Sequence, residues 1–281
     1  MTSSLVSALG YGDDARVVIV NGRGLGTSHA VNVGVYETLR EGLATTTALL
    51  VPCPWARDAA SRYRGDDVGV ELTLNAEHDL YRWGPITHAP SLLDGNGGFP
   101  TTTSDLWDHG DLDEVRRECR AQIERAVYWG FDVTHLDDHL GVLAMRPEFF
   151  DVYLDLAVEF ALPIHLPGTE SERQAGFPFR SLAAEEGILF PDYVVDIGPG
   201  PSDAFERAMF SLEPGVTEFR LRPALDTPEL RALHRTWADR VEHREMLCSA
   251  GARQLVNRAG AVRIGYRSLR AIQRARQVRT R

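Results

Sequence analysis

The sequence predicts an α/β protein whose strands and helices alternate along one domain, as in a (β/α) barrel or a large doubly wound sheet. Three observations lead there. Apolar, β-branched runs recur between helical periods about eight times. The 281 residues suit one barrel of about 250 residues with embellishments. No repeat or shift of composition marks a linker, and a hydrophobic fraction of 43% allows a full core.

Residues 1–15 read as a loose arm. The first strand spans 16–21, and its VVIV run has the uniform apolarity of a parallel strand covered on both faces. A glycine-rich loop follows, then a helix over 29–41 with Ser28 or Thr27 as N-cap. A strand over 43–51 stops at Pro52-Cys53-Pro54 and leads to a helix over 55–63. The run 67–75, DVGVELTLN, alternates as a third strand with Glu71 at its centre, where an inward charge needs a partner. Residues 76–110 form a long insertion loop rich in Gly, Pro and His, and its aromatic and histidine content favours a binding loop. Within it, Trp83 and Tyr81 suit stacking on a sugar ring and capping the core equally well, whereas His78 and His88 read as exposed polar residues.

An amphipathic helix over 111–128 precedes strand four, which ends in the cluster described below. A helix over 147–160, a fifth strand over 162–166 carrying His165, and a loop over 168–178 come next. A short helix (181–186), a strand (193–197), a helix (202–212) and a strand (217–221) follow. Helices over 227–241 and 253–259 and a last strand over 262–265 complete a barrel domain spanning 16–266, and 267–281 is a basic tail, read as a solvated helix end.

A net charge of −10 argues against a nucleic-acid binder, whose footprint is basic. The chain contains no lysine, so Schiff-base, pyridoxal and P-loop lysine chemistry are excluded unless another chain supplies the amine. Cys53, Cys119 and Cys248 are isolated, as expected of a reduced, cytoplasmic protein, and Cys53 between two prolines reads as packing. No signal peptide and no membrane span are expected. Gly22, Gly24 and Gly26 give G-x-G-x-G where a dinucleotide fingerprint needs G-x-G-x-x-G, and the acidic residue due about 20 positions later is missing. No nicotinamide cofactor is expected, although a helix N-terminus beside Arg23 offers N–H groups to an anion.

The densest group of ionisable side chains is His135-Leu136-Asp137-Asp138-His139. Extended backbone would put His135, Asp137 and His139 on one side and Asp138 on the other. That is the raw material of a metal site or an acid–base pair, and equally of a polar strand end with satisfied histidines. Arg23, Glu71, this cluster, His165 and Arg222 all fall at or near strand ends, where the carboxyl-end rule puts active sites in either architecture.

Four blocks carry a resemblance: VIVNGRGLGTSHAVNVGVYETLREGLATTTALLVPCPWA, DVGVELTLN, VTHLDDHLGVLAMRPEFFDVYLDLAVEFALPIHLP and VTEFRLRPALDTPEL. In order and spacing they resemble the YdjC-like carbohydrate deacetylases over most of the chain. The resemblance implies a distorted, TIM-barrel-like (β/α) barrel as a single domain. It also implies a divalent metal held by an Asp and two His, and removal of acetyl groups from N-acetylated sugars by a metal-bound water, with an Asp as base and a His as acid. Position by position, the family's Asp-Asp pair falls on Arg23 and Gly24, its strand-three histidine on Glu71, and a late histidine on Arg222. The His-x-Asp-x-His pattern survives as His135, Asp137 and His139, with His139 matching the third ligand.

Arginine stays protonated and cannot ligate a cation. An internal Arg23–Glu71 ion pair is therefore expected where the family has its metal, with Glu71 and Asp137 accepting from the guanidinium. No cofactor is expected; Zn or Mg is disfavoured, with Glu71, His135 and His139 as the donors left for one. The expected function is an enzyme acting on a small N-acylated, sugar-like substrate by acid–base chemistry, using His135, Asp137, His139 and Glu71. Arg23, Arg222, His165 and Trp83 are the expected substrate contacts. Two alternatives stand beside it: a repurposed metal-free enzyme in which Arg23 and Arg222 clamp an anionic substrate, and an inactive ligand-binding relative. A small molecule is the expected partner, without nucleic acid or membrane, and a homodimer is admitted.

Overall fold

Val17 to Val20 have no exposed surface at all, which fixes the first strand at the centre of the protein. The structure, a computed structural model, describes residues 4–198 and 203–280. Residues 1–3 of the predicted arm, Ser202 at the start of the predicted 202–212 helix, and Arg281 lie outside the described residues, as does the side chain of Arg279.

In chain order the first elements are α1 (Leu5–Ala8), β1 (Arg16–Gly22), α2 (His29–Arg40), β2 (Thr47–Leu49), α3 (Ala56–Arg62) and β3 (Val68–Leu72). Then come α4 (Thr103–His109), α5 (Leu112–Tyr128), β4 (Val133–Asp138), α6 (Pro147–Phe160), α7 (Thr169–Ala175), α8 (Phe179–Glu185) and β5 (Tyr193–Asp196). The last are α9 (Asp203–Phe210), β6 (Gly215–Leu221), α10 (Pro228–Leu233), α11 (Trp237–Cys248), α12 (Ala250–Arg258), β7 (Val262–Arg263) and α13 (Tyr266–Thr280).

All strand pairings are parallel, in the orders β5-β6-β1-β7 and β2-β3-β4. Bridges at Asn21–Thr46 and Leu25–Leu49 join β1 to β2 and so link the two sheets. The result is the distorted (β/α) barrel expected, with strand carboxyl ends converging on one mouth. Among the described residues no helix is long and apolar enough to cross a membrane.

Several elements differ from the sequence reading for identifiable reasons. The predicted fifth strand, 162–166, contributes only one bridge, Leu136–Ile164. It lies between Pro163 and Pro167, which lack the N–H groups a ladder needs, yet Pro163 O and His165 N still bond Leu136 at 3.0 and 2.8 Å. The predicted 168–178 loop contains α7, which buries no residue and so offers no apolar periodicity to read. The predicted 227–241 helix is two helices, broken at His234, whose backbone is extended (φ −125°, ψ 118°). The 76–110 loop is folded onto the body: Trp83, Leu92, Phe99 and Leu106 are buried, and Arg82 staples it through Asp94 and the carbonyls of Ala76 and Phe99. The arm and tail ends are also engaged. Val6 of α1 and Tyr266 and Leu269 of α13 belong to one apolar cluster, and Arg270 pairs with Asp132 at 2.6 Å.

Candidate active site

The barrel mouth holds a cavity of about 100 Å³ lined by Arg23, Glu71, Glu77, His139, Arg222 and Arg240, among others. Arg23, Glu71, His139 and Arg222 arrive from strand ends, Glu77 from the loop after β3 and Arg240 from α11. Arg23 follows β1 in a loop that needs glycine: Gly26 has φ +101°, and a Cβ there would lie 2.8 Å from Leu50 O. Glu71 lies in β3 opposite Asp137 of β4.

His139 is brought in by a turn. Asp138 ends β4 and accepts N–H bonds from Leu143 at 3.0 Å and Ala144 at 2.8 Å, while Leu140 takes the left-handed conformation (φ 59°). Burial pushes the Asp138 carboxyl up to about 7 in spite of those N–H donors. Asp138 is thus a structural cap that swings His139 out of the strand direction and into the cavity.

The cavity floor is a chain of alternating charges. Arg23 Nη2 donates to Glu71 Oε1 at 2.6 Å, and Arg23 Nε lies 3.9 Å from Asp137 Oδ2. His139 Nδ1 is 2.9 Å from the same Glu71 oxygen, and its Nε2 is 3.0 Å from Glu77 Oε2. Burial alone would lower the His139 pKa, but bonds to Glu71 and Glu77 and their charges raise it to about 9, so the ring is an imidazolium donating at both nitrogens. Against its burial, the Arg23 charge and the His139 bond hold Glu71 below the usual carboxylate range. Burial likewise opposes, and the His139 bond and charge outweigh it, in holding Glu77 down to about 2.

Beneath the cavity the chain continues into the barrel. Arg220 Nη2 donates to Asp137 at 3.0 and 3.2 Å, and its Nη1 meets His165 Nε2 at 2.5 Å. His165 Nδ1 faces Glu218 Oε2 at 2.7 Å; Glu218 also accepts from Asn21 at 2.7 Å and Tyr266 at 2.9 Å. Burial opposes ionisation of Asp137, and the Arg220 charge, followed by His165 and Arg23, keeps it far below the usual range.

Of the side chains singled out from the sequence, Arg23, Glu71, His139 and Arg222 line the cavity. Asp137 lies under its floor, fully buried. His135, expected as a catalytic group, does not reach it: the strand's two-residue period keeps its side chain within the barrel, stacked on Tyr266 with ring centroids 3.9 Å apart. His165, expected to touch substrate, is enclosed by Glu218 and Arg220. Trp83, also expected at the substrate, is buried and donates to Asn75 O at 2.8 Å, so it caps the core of its loop. Glu77, Arg240 and His234 were not singled out, and His78, read as an exposed polar residue, lines the cavity with them. Glu77 stands beside a predicted strand end and was findable; Arg240 and His234 arrive through a helix break that periodicity does not show.

The family's divalent metal does not fit this donor set. Among the described residues, no group of three or more His, Cys, Asp or Glu side chains is placed to hold a metal ion. The Arg23 guanidinium rests on Glu71 where a cation would, and a guanidinium has no lone pair to give one.

Fold and site together define a (β/α)-barrel protein with an ionised pocket at the carboxyl ends of its strands. The chain belongs to the YdjC-like protein family, whose model matches residues 17–258. It is 37% identical over 237 residues to a carbohydrate deacetylase of Thermus thermophilus, covering 82% of this chain and 85% of that one. It is 26% identical to a carbohydrate deacetylase of Thermoanaerobacter pseudethanolicus over 86% of this chain and 94% of that one. In fold it is similar to the crystal structure of a proposed cellobiose-phosphate cleavage protein of Enterococcus faecalis V583, with a TM-score of 0.79 at 24% identity, over 91% of this chain and 99% of that one.

Proposed function

We propose that the protein is a metal-free hydrolase of N-acylated, sugar-like substrates, in which paired ions on the cavity floor replace the family's metal. The observation that carries this reading is the run Arg23–Glu71–His139–Glu77, in which one guanidinium and one imidazolium alternate with two carboxylates at 2.6, 2.9 and 3.0 Å. The deacetylase relatives supply the substrate class, and the small inner cavity is of a size for one acyl group or a few waters.

In this reading Glu77, the cavity carboxylate with 34% of its side chain exposed, takes the proton of an attacking water. The water oxygen bonds to the acyl carbon, and Arg23 faces the oxyanion that develops there. The C–N bond breaks as His139 passes its Nε2 proton to the leaving nitrogen, releasing a carboxylic acid and an amine. Glu71 keeps His139 charged and oriented from its other nitrogen.

Acetate release from N-acetylated amino sugars tests the reading. Turnover that persists in chelator and is lost in His139→Ala supports it; turnover abolished by chelator and restored by Zn²⁺ overturns it. One observation favours a second reading, ligand binding without turnover: both nitrogens of His139 are already engaged and Glu77 is a weak base. Ligand-dependent thermal stabilisation without product from any acylated sugar would establish that instead.

A further inference from the structure

The family model ends at residue 258, whereas α13 spans Tyr266–Thr280, so this helix lies outside the stretch that the model matches. It runs under the amino ends of the strands, opposite the cavity. Arg267 N donates to Asp67 Oδ2 at 2.8 Å, just before β3, and Arg270 donates to Val133 O at 2.6 Å, at the start of β4. Further along, Gln273 Oε1 accepts from Leu189 N at 2.8 Å, and Leu189 O accepts from Ile164 N at 3.0 Å.

Tyr266, at the head of the helix, points into the barrel instead. It has no exposed surface, and its hydroxyl donates to Glu218 Oε2 at 2.9 Å. Burial, then the charges of Glu218 and Asp137, push its phenol well above the ordinary range, so the hydroxyl stays a donor.

Glu218 is itself the foot of a connected set. Its Oε1 accepts from Asn21 at 2.7 Å, and its Oε2 faces His165 Nδ1 at 2.7 Å. A guanidinium has nothing but donors, so Arg220 Nη1, 2.5 Å from His165 Nε2, makes that nitrogen an acceptor and leaves the ring proton at Nδ1, aimed at Glu218. Arg220 then donates to Asp137 at 3.0 Å, and Asp137 Oδ2 lies 3.9 Å from Arg23 Nε. A buried carboxylate that loses one donor re-forms around the donors that remain, and here those donors lead to the cavity floor.

We propose that Tyr266 is a positioning residue for the reaction at the cavity, acting through Glu218, His165, Arg220 and Asp137 on the placement of Arg23. This rests on the hydrolase reading, in which Arg23 faces the developing oxyanion, and it makes a helix outside the family-matched stretch part of the working site.

Tyr266→Phe keeps the ring and its stack on His135 and removes the hydroxyl alone. Acetate release from N-acetylated amino sugars, melting and ¹⁵N NMR of the histidine rings are compared with Gln273→Ala, which removes a different bond of the same helix. Tyr266→Phe should melt within a few degrees of the wild type and lose about ten-fold or more in kcat, because small displacements of a reacting group are costly in rate. KM should stay within about two-fold, since Arg23 acts on the transition state. The Nδ1–H signature of His165 should give way to a mixture of tautomers. Gln273→Ala should lower the melting temperature and leave kcat and the His165 spectrum as in the wild type. If Tyr266→Phe keeps the wild-type kcat, or loses no more than Gln273→Ala, the positioning role is overturned while the hydrolase reading stands, whatever the His165 spectrum shows. If the wild type releases no acetate, the hydrolase reading falls and the His165 spectrum alone decides the link from Tyr266: a changed tautomer supports it, and an unchanged one overturns it.

Discussion

The Arg23–Glu71 pair is the point at which the site reading is most exposed to measurement. Glu71 is 2% exposed and the Arg23 side chain 13%, with 2.6 Å between their nearest atoms. At an effective dielectric of about 20, charges about 4 Å apart attract by about 4 kcal/mol, and breaking a buried pair from one side typically costs about 3–5 kcal/mol. Among the described residues, Arg23→Met leaves Glu71 with His139 as its cationic contact, and Asp137 with Arg220. Its loss should therefore fall at the low end, about 3 kcal/mol, or roughly 6–12 °C in Tm for a chain of this size. Glu71→Gln sets Arg23 and His139 against each other without their shared acceptor and should cost a similar amount. The double variant removes both charges, so it should lose less than the two singles added together, with a coupling of about 3 kcal/mol or more. Equilibrium urea unfolding of all four proteins at one pH, with unchanged slopes, reads that coupling. Single losses under about 0.5 kcal/mol that simply add would place the pair in the weak, solvated class and refute the reasoning. Stoichiometric Zn²⁺ in the purified wild type, found by elemental analysis, would refute the replacement of metal by guanidinium from the other direction.

Stability should also depend on pH through His139. Its folded pKa of about 9 exceeds the ordinary 6.5, so its contribution is fully present below about 6.5 and is lost as pH rises through about 9. That is roughly 3 kcal/mol at most, absent from His139→Gln, and an identical high-pH decline in both proteins would contradict it. Asp138→Ala removes the acceptor for Leu143 and Ala144 N–H and should cost about 1–3 kcal/mol, with turnover falling beyond the stability loss because His139 loses its turn; normal kinetics in the folded variant would count against the positioning role. His135→Gln should lower Tm through its lost ring stack on Tyr266 and leave KM and kcat near wild type, whereas a hundred-fold fall in kcat would restore His135 to the active site. Prolonged dialysis against chelator should change neither Tm nor turnover, and a drop in either would reveal a metal.

What the sequence revealed about this site, and what it concealed, follows from how each residue is placed. Arg23 and Glu71 were legible because each sits at the end of an apolar run, and a charge there is either paired or costly. His135 misled because proximity along a strand was taken for proximity at a mouth. In extended chain two residues span about 6.6 Å, enough to separate a side chain at the barrel's centre from one at its opening. The turn after Asp138 then sends His139 in a direction that strand periodicity does not specify. Arg240 and His234 were hidden for a different reason: the 227–241 stretch reads as one amphipathic helix, whereas His234 at its break is extended and meets His78, 156 positions away in the chain.

Arg23 and Glu71 on the cavity floor make sense only jointly. Arg23 without Glu71 would keep Asp137, 3.9 Å from its Nε, as its remaining ion-pair partner, one it shares with Arg220. Glu71 without Arg23 would set a second buried carboxylate opposite Asp137, with His139 left to neutralise it. Each alone is penalised, and together they close a charge-alternating run from Arg220 through Asp137, Arg23, Glu71 and His139 to Glu77. Such a run leaves each buried ion with an opposite neighbour, and it also removes the vacancy into which a divalent cation would fit. The packing of charge in this part of the barrel interior and the lack of a three-donor cluster among the described residues both trace to Arg23 and Glu71.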